Sequence, residues 1–391
     1  MPVKLGIDVL RKQDFQPLQD KRVGLLTNAS GVDSQLESTN RILWNSPKVH
    51  LVALFAPEHG IHSSQPTAEK FKDSHDKHTG LPIYSLYGEN RKPTKSMLAN
   101  VDVIVVDLQD TGVRYLTHTW TVMSLIDAAA TSNVEVVILD RPNPFGNIVS
   151  GGVLSKELFS PLGSCPVPIR HGMTLGELAQ MYNTRWTRSH TKLTVIQCEG
   201  WSHKITWAET GLFWIPPAPH LPDPQMLRHF SGAGLLEGAQ LSIGRGTTLP
   251  YQIVGAPYID ALALSQHLNR LPWKGVKFRP HIFRPTSGLF ADEVCEGVQV
   301  HITDEVAYDP IKTWLAILRE IRSVYPMEFQ WLPPHAPSTE DGFFYQFDRL
   351  VGSYDVRPKI DAGVAANGLT EGWDEAEEEF SRLRGEYLLY D

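Results

Sequence analysis

The 391-residue chain has little cysteine: Cys165, Cys198 and Cys295 are its three, widely spaced and without a Cys-x-x-Cys pair. That spacing indicates neither a disulfide framework nor a thiolate zinc site, and buried thiols are expected instead. There is no basic excess either. Its 36 Lys and Arg stand against 44 Asp and Glu, a formal charge of -8, so a phosphate backbone would go unneutralised and nucleic acid is not an expected partner. No apolar run approaches the roughly 20 residues of a membrane span, and the N-terminal MPVKLGIDVL lacks the apolar core of a signal sequence. As given, the chain reads as cytoplasmic, or as a mature form of an exported protein. Long low-complexity tracts, G-x-G-x-x-G and Walker sequences are absent too, so no nucleotide cofactor is expected.

What is present describes a globular protein with a sizeable core: 42% of residues are hydrophobic and 20% charged. The length favours two domains. The 10 Trp, 12 Tyr and 15 Phe supply flat apolar faces, and 28 Pro with 30 Gly imply long, shaped loops. A sugar-binding cleft uses both, although each aromatic taken singly is more simply a core residue. Trp120 and Trp214 fall near the cleft segments described below, whereas Trp314 and Trp373 lie on apolar helical stripes.

Four apolar runs, Val23–Thr27, Val49–Ala56, Val101–Asp107 and Val134–Leu139, read as strands buried on both faces, with a weaker fifth at Leu81–Leu86. Helical stretches around Leu36–Trp44, Thr94–Leu98 and Trp120–Ala130 separate them. The alternation predicts a parallel, Rossmann-like α/β domain over residues 1–155. Beyond it, Pro- and Gly-rich loops alternate with helices, which predicts a smaller α+β domain over residues 156–391. There Thr174-Leu-Gly-Glu177 forms a capping box. Asp309-Pro310 opens a helix with an apolar stripe, Ile311, Trp314, Leu315, Leu318 and Ile321, and Trp373, Ala376, Phe380, Leu383 and Tyr387 make a second stripe.

Polar residues collect where the strands end. Asn28 follows the first run, Glu58-His59 the second, Asp107 and Asp110 the third, and Asp140, Arg141 and Asn143 the last. In open α/β sheets ligands bind outside the carboxyl ends of the strands, which places the site there, in the cleft with the second domain. Glu58, in Phe55-Ala-Pro-Glu-His-Gly60, is the leading candidate for a general acid, since apolar walls raise a carboxyl pKa towards neutrality; the bland reading is a loop-fixing ion pair. Asp110 and Arg114, in Gln109-Asp-Thr-Gly-Val-Arg-Tyr115, could bind substrate or each other. Arg245 stands between two glycines in Ser242–Thr247, and Glu237 is a second carboxylate candidate. His59, His62, His75 and His78 lie near Asp73 and Asp76, but without the spacing of a metalloprotease helix, so no metal is expected.

These segments, in order along almost the whole chain, resemble the NamZ family of exo-β-N-acetylmuramidases. The resemblance rests on Gly6–Leu10, Val23–Asn28, Phe55–Gly60, Ser85–Gly88, the Gln109–Arg114 stretch, Leu139–Pro144, Ile169–Ala179, Ser242–Thr247 and Gly255–Pro257. It implies a Rossmann-like domain, a smaller C-terminal domain, and a cleft between them that removes N-acetylmuramic acid from the non-reducing end of peptidoglycan fragments. Transfer of the family's favoured catalytic glutamate falls on Glu58. A muramyl lactyl carboxylate would suit Arg114, Arg141 or Arg245, and Asn28, His59, Asn143 and His220 complete the expected substrate contacts. Asp110 is the expected partner carboxylate, with Glu237 as the alternative in that role. Two departures stand out: Ile61-His62-Ser63-Ser64 replaces an aliphatic residue, Arg and Gly, and Ala218-Pro-His-Leu-Pro222 replaces Ser-Pro-Asn-Met-Pro. The competing functions are a metal-dependent amidase or esterase using His59 and His62, and a non-catalytic glycan-binding module.

Overall fold

The computed structural model describes residues 3–66, 69–333 and 344–391. The five apolar runs become β1 (Arg22–Thr27), β2 (His50–Ala56), β4 (Pro82–Ser85), β5 (Val103–Asp107) and β6 (Glu135–Leu139), and a two-residue strand that no apolar run announces, β3 (Ser74–His75), precedes β4. A short pair, β7 (Val149–Ser150) with β8 (Arg170–His171), precedes β9 (Leu193–Ile196). The main sheet has the order β3-β4-β2-β1-β5-β6-β9. All neighbours are parallel except β3 with β4. Because β9 lies beyond residue 155, the expected domain boundary falls inside the chain that builds this sheet.

Strand alternation sends successive side chains to opposite faces. Leu25, Leu54, Val103, Val105 and Leu139 bury one face under α1 (Gly6–Lys12) and α2 (Thr39–Asn45). Leu26, Phe55, Ile104, Val106 and Ile138 bury the other under α3 (Lys95–Leu98), α4 (Thr117–Ser132) and α5 (Leu175–Arg185). The capping box that opens α5 forms as expected: Thr174 Oγ1 accepts from the Glu177 amide, and Glu177 accepts from the Thr174 amide. From the centre the chain winds outward through β2 to β4, then crosses back to β5 beside β1. The strand order therefore reverses between β1 and β5, where a crevice opens at the carboxyl ends.

The second region packs α6 (Pro224–Ala233), α7 (Ala261–Asn269) and α8 (Pro310–Val324) with an antiparallel sheet in the order β10-β12-β11, formed by β10 (Ile253–Ala256), β11 (Val276–Phe283) and β12 (Cys295–Ile302). The predicted stripe of α8 is buried around Trp314. Val113, Tyr115 and Leu116 join the same core, so the loop after β5 is the seam between regions. The helix Trp373–Arg384 then returns to the first region, where Phe380 enters the core beneath α4 and α5.

Candidate active site

The β5–β6 side of the crevice is closed by its own side chains. Arg141 Nε donates to Asp107 at 2.5 Å and its Nη2 reaches the Val32 carbonyl at 2.6 Å, while the Thr39 hydroxyl donates to Asp107 as well. Asp140 accepts from Thr174 Oγ1, the Gly176 amide and Tyr390 Oη; burial still outweighs these donors and pushes its carboxyl up to about 6. Asn143 donates to the Met173 carbonyl and accepts from the Phe145 amide, tight against Gly112. A Cβ on Gly112 would stand 2.3 Å from Asn143 Oδ1, and its φ of +71° is one that glycine supplies freely.

Arg114 is likewise committed to the fold. Its Nη1 donates to the Gly152 and Val167 carbonyls and its Nη2 to that of Leu350, all within 2.8 Å. Burial lowers its pKa to about 10. Asp110 was the expected partner carboxylate, but it accepts from the Gly112 amide at 2.9 Å and from Thr119, and it lies 3.3 Å from His171 Nε2. Three neighbours thus hold it within the scaffold. The Asp110–Arg114 ion pair weighed from sequence is not formed: the arginine binds carbonyls, the aspartate turns towards histidine.

At the ends of β2 and β4 the arrangement differs. Glu58 is 4% exposed, at the carboxyl end of β2, where Gly60 turns the chain with φ +76°. Thr117, the first residue of α4, donates its hydroxyl to Glu58 Oε2 at 2.6 Å. The hydroxyl of Tyr87, two residues past β4, lies beside the same carboxylate; burial and the Glu58 charge raise the phenol pKa above its ordinary value. His59 has a left-handed backbone, φ +70°, and its Nδ1 meets the Gln65 carbonyl at 2.9 Å. His118 lies against Glu58, His59 and Asp110, and burial drives its pKa down to about 4. Neither of its buried ring nitrogens reaches hydrogen-bond geometry with a partner among the described residues.

The second region supplies the facing wall. Tyr115 Oη donates to the Phe230 carbonyl at 2.6 Å and its ring packs against Gly234, which docks the turn Gly234–Gly238 and its Glu237 onto the seam. Arg245 Nη2 bonds Glu237, and its Nε donates to Tyr251 Oη at 3.2 Å. Burial raises the Glu237 pKa, Arg245 opposes this, and the Glu58 charge adds to it. Burial acts against the Arg245 charge, but Glu237, Tyr251 and Glu58 outweigh it and raise its pKa above the ordinary value. His220 comes under the same fields: burial first, then Arg245 and His59, lower it to about 4. Asn28 stands behind this wall, donating Nδ2 to the Pro217 carbonyl at 2.9 Å and so anchoring the loop that carries His220.

The structure therefore brings Glu58, His59, His220, Glu237 and Arg245 together, uses Asn28 as an anchor, and leaves Asp110, Arg114, Arg141 and Asn143 within the frame. Sequence reasoning missed Tyr87, Thr117, His118 and Tyr251. Tyr87 sits in the quoted Ser85–Gly88 segment and could have been found there; Thr117 and His118 carry no local signal beyond closely following Arg114. Of the histidines read as possible metal ligands, His59 is occupied at Nδ1 and Asp76 caps its own turn through the His78 and Thr79 amides. Among the described residues no three His, Cys, Asp or Glu side chains are placed to hold a metal ion, and no helix is long and apolar enough to cross a membrane.

Comparison with known proteins bears on this geometry. The chain matches the N-terminal family of exo-beta-N-acetylmuramidase NamZ over residues 23–225 and the C-terminal family over residues 228–390. It is 36% identical over 389 residues to the peptidoglycan beta-N-acetylmuramidase NamZ of Bacillus subtilis (strain 168), covering 99% of this chain and 91% of that protein. Two crystal structures of DUF1343 family proteins from Bacteroides fragilis superpose along the whole chain. One has a TM-score of 0.88 at 37% identity and the other 0.79 at 30%, each covering 100% of this chain and 99% of its own. The chain belongs to the exo-β-N-acetylmuramidase NamZ family.

Proposed function

We propose that this protein is a glycoside hydrolase that releases N-acetylmuramic acid from the non-reducing end of peptidoglycan fragments, with Glu58 as its catalytic acid. Family membership and the similarity to the Bacillus subtilis enzyme support the reaction. One observation carries the assignment within the site: Glu58 is a buried carboxyl at a strand end, held by the Thr117 hydroxyl with that of Tyr87 beside it, and facing the Glu237–Arg245 pair. Thr117 fixes Oε2 and so orients the carboxyl, which in its protonated form delivers its proton to the glycosidic oxygen as the ring takes on oxocarbenium character.

Glu237 is the second carboxylate of this reading. It lies opposite Glu58, and Arg245 counters the burial that raises its pKa. Arg245 serves a second purpose. Its Nε and Nη2 are engaged by Tyr251 and Glu237, while Nη1 makes no bond among the described residues, which suits it to accept the lactyl carboxylate that distinguishes a muramyl from a glucosaminyl residue. His220, whose pKa burial lowers to about 4, is neutral beside it and offers a hydrogen bond without competing charge.

The test is a product assay on two isomeric disaccharides. Muramyl-glucosamine, with its muramyl residue at the non-reducing end, is split to free N-acetylmuramic acid; glucosaminyl-muramic acid is not. Equal cleavage of both would contradict an exo-acting site that reads the lactyl group.

A further inference from the structure

Beside the catalytic groups lies a second open space that the reaction as described does not use. It is a cleft of about 630 Å³, bounded by the turn from Gly88 to Thr94, by Lys70, and by Trp120, Ser124 and Asp127 of α4. Both of its walls begin at Glu58. Thr117, which bonds Glu58, shares one face of α4 with Trp120, Ser124 and Asp127, since these positions follow at helical intervals of three, four and three. Tyr87, whose hydroxyl lies beside Glu58, runs directly into Gly88 of the opposite wall, and the charge of Arg91 still reaches that hydroxyl. From Thr117 to Asp127 the helix rises about 15 Å, longer than one hexose.

The lining has a definite chemistry. Trp120 is half-buried, yet among the described residues it belongs to no apolar cluster, has no aromatic partner and donates no hydrogen bond. A large flat ring that neither completes a core nor pairs with another ring is a stacking platform for an apolar sugar face. Lys70, Arg91 and Lys92 are exposed around it. Asp127 closes the far end with its carboxylate occupied by the hydroxyls of Tyr182 and Thr187, which leaves Glu89 as the exposed acid of the turn. Cations therefore predominate at the mouth.

We propose that this cleft is the subsite for the leaving part of the glycan. Trp120 stacks beneath a sugar on the reducing side of the scissile bond, and Lys70, Arg91 and Lys92 hold a carboxylate of the next muramyl residue, either its lactyl group or an attached peptide. The proposal rests on Glu58 being the catalytic acid, because it is Glu58 that defines which side of the bond faces the cleft. It makes the enzyme a reader of chain length: fragments longer than a disaccharide gain contacts that a muramyl aryl glycoside cannot make.

The experiment compares kcat/KM for a 4-nitrophenyl muramyl glycoside with that for the alternating tetrasaccharide, supplied with free lactyl groups, as its lactyl methyl ester, and with stem peptides attached. Trp120→Ala lowers the ratio of tetrasaccharide to aryl glycoside about tenfold, and Trp120→Phe, which keeps a ring and guards against a folding defect, lowers it less. The double variant Arg91→Ala with Lys92→Ala lowers the ratio for carboxylate-bearing tetrasaccharides at low salt and leaves it unchanged for the ester. A larger loss with the peptide-bearing tetrasaccharide than with the free lactyl form assigns the carboxylate to the peptide, and equal losses assign it to the lactyl group. A ratio that stays within about twofold of wild type in Trp120→Ala, or that holds because both substrates fall together, overturns the subsite. Wild-type turnover of the aryl glycoside by Glu58→Gln overturns instead the reading of the site on which it rests.

Discussion

The two halves of one sheet edge carry similar residues and do opposite work. At the ends of β5 and β6, Asp107, Asp140, Arg141 and Asn143 are each satisfied by the fold, and Tyr390 near the C-terminus reaches back to lock Asp140. At the ends of β2 and β4, Glu58 accepts from Thr117 with the Tyr87 hydroxyl beside it, and faces Arg245 and Glu237 across the cleft. A carboxylate at a strand end is thus not functional by position alone. What separates the halves is where the second region comes down: the loop after β5 is taken into its core through Tyr115, whereas the β2 end meets its polar wall.

The comparison breaks most visibly on the closed side. Arg141→Ala leaves Asp107 buried and unpaired, and urea unfolding is expected to show a loss of about 3–5 kcal/mol, with the folded fraction still active. On the open side, His118 ties stability to pH. Its folded pKa of about 4 lies below that of the unfolded chain, so the unfolded state binds the extra proton between about pH 6.5 and 4. The contribution is complete above that window and is lost as pH falls through it, on the order of 3 kcal/mol. His118→Asn flattens this slope by up to one proton in melts taken across the same range.

Arg245→Met is expected to raise KM for muramyl substrates about thirtyfold, the worth of one charged hydrogen-bonding pair near 2 kcal/mol. Steady-state kinetics against an aryl glucosaminide without the lactyl group should show a much smaller change in KM, whereas kcat falls for both substrates because Glu237 loses its counter-charge. The smallest effect belongs to Asn28→Ala, which removes the anchor of the His220 loop. It costs about 1 kcal/mol of stability in a denaturant melt and leaves Asp107 and Arg141 undisturbed.

Much of the first region was legible because parallel strands buried on both faces are written as unbroken apolar runs, and Val103–Asp107 could be little else. The strand Leu193–Ile196 was not, since it lies at the sheet edge, is only half-buried, and follows a helix and loops that read as the other domain. Within the site, Glu58 was legible because a carboxyl between proline and His-Gly at the end of such a run must leave the sheet there. Arg114 and Arg141 looked equally suited to an anion; nothing local reveals that their donors meet the carbonyls of Gly152, Val167 and Leu350 or the carboxylate of Asp107. Glu237 was the converse case, an undistinguished residue whose place depends on Tyr115 docking against Gly234 from over a hundred positions away. Long-range contacts, absent from any window of sequence, decided each of these.

The central claim is that chemistry resides on the β2 side of the edge, in Glu58. The most direct measurement is the rate at which Glu58→Gln releases N-acetylmuramic acid from muramyl-glucosamine, taken with its melting curve. A fall in kcat of about a thousandfold, with a melting midpoint close to wild type, is the predicted result. Release at the wild-type rate from an equally well-folded variant would contradict it.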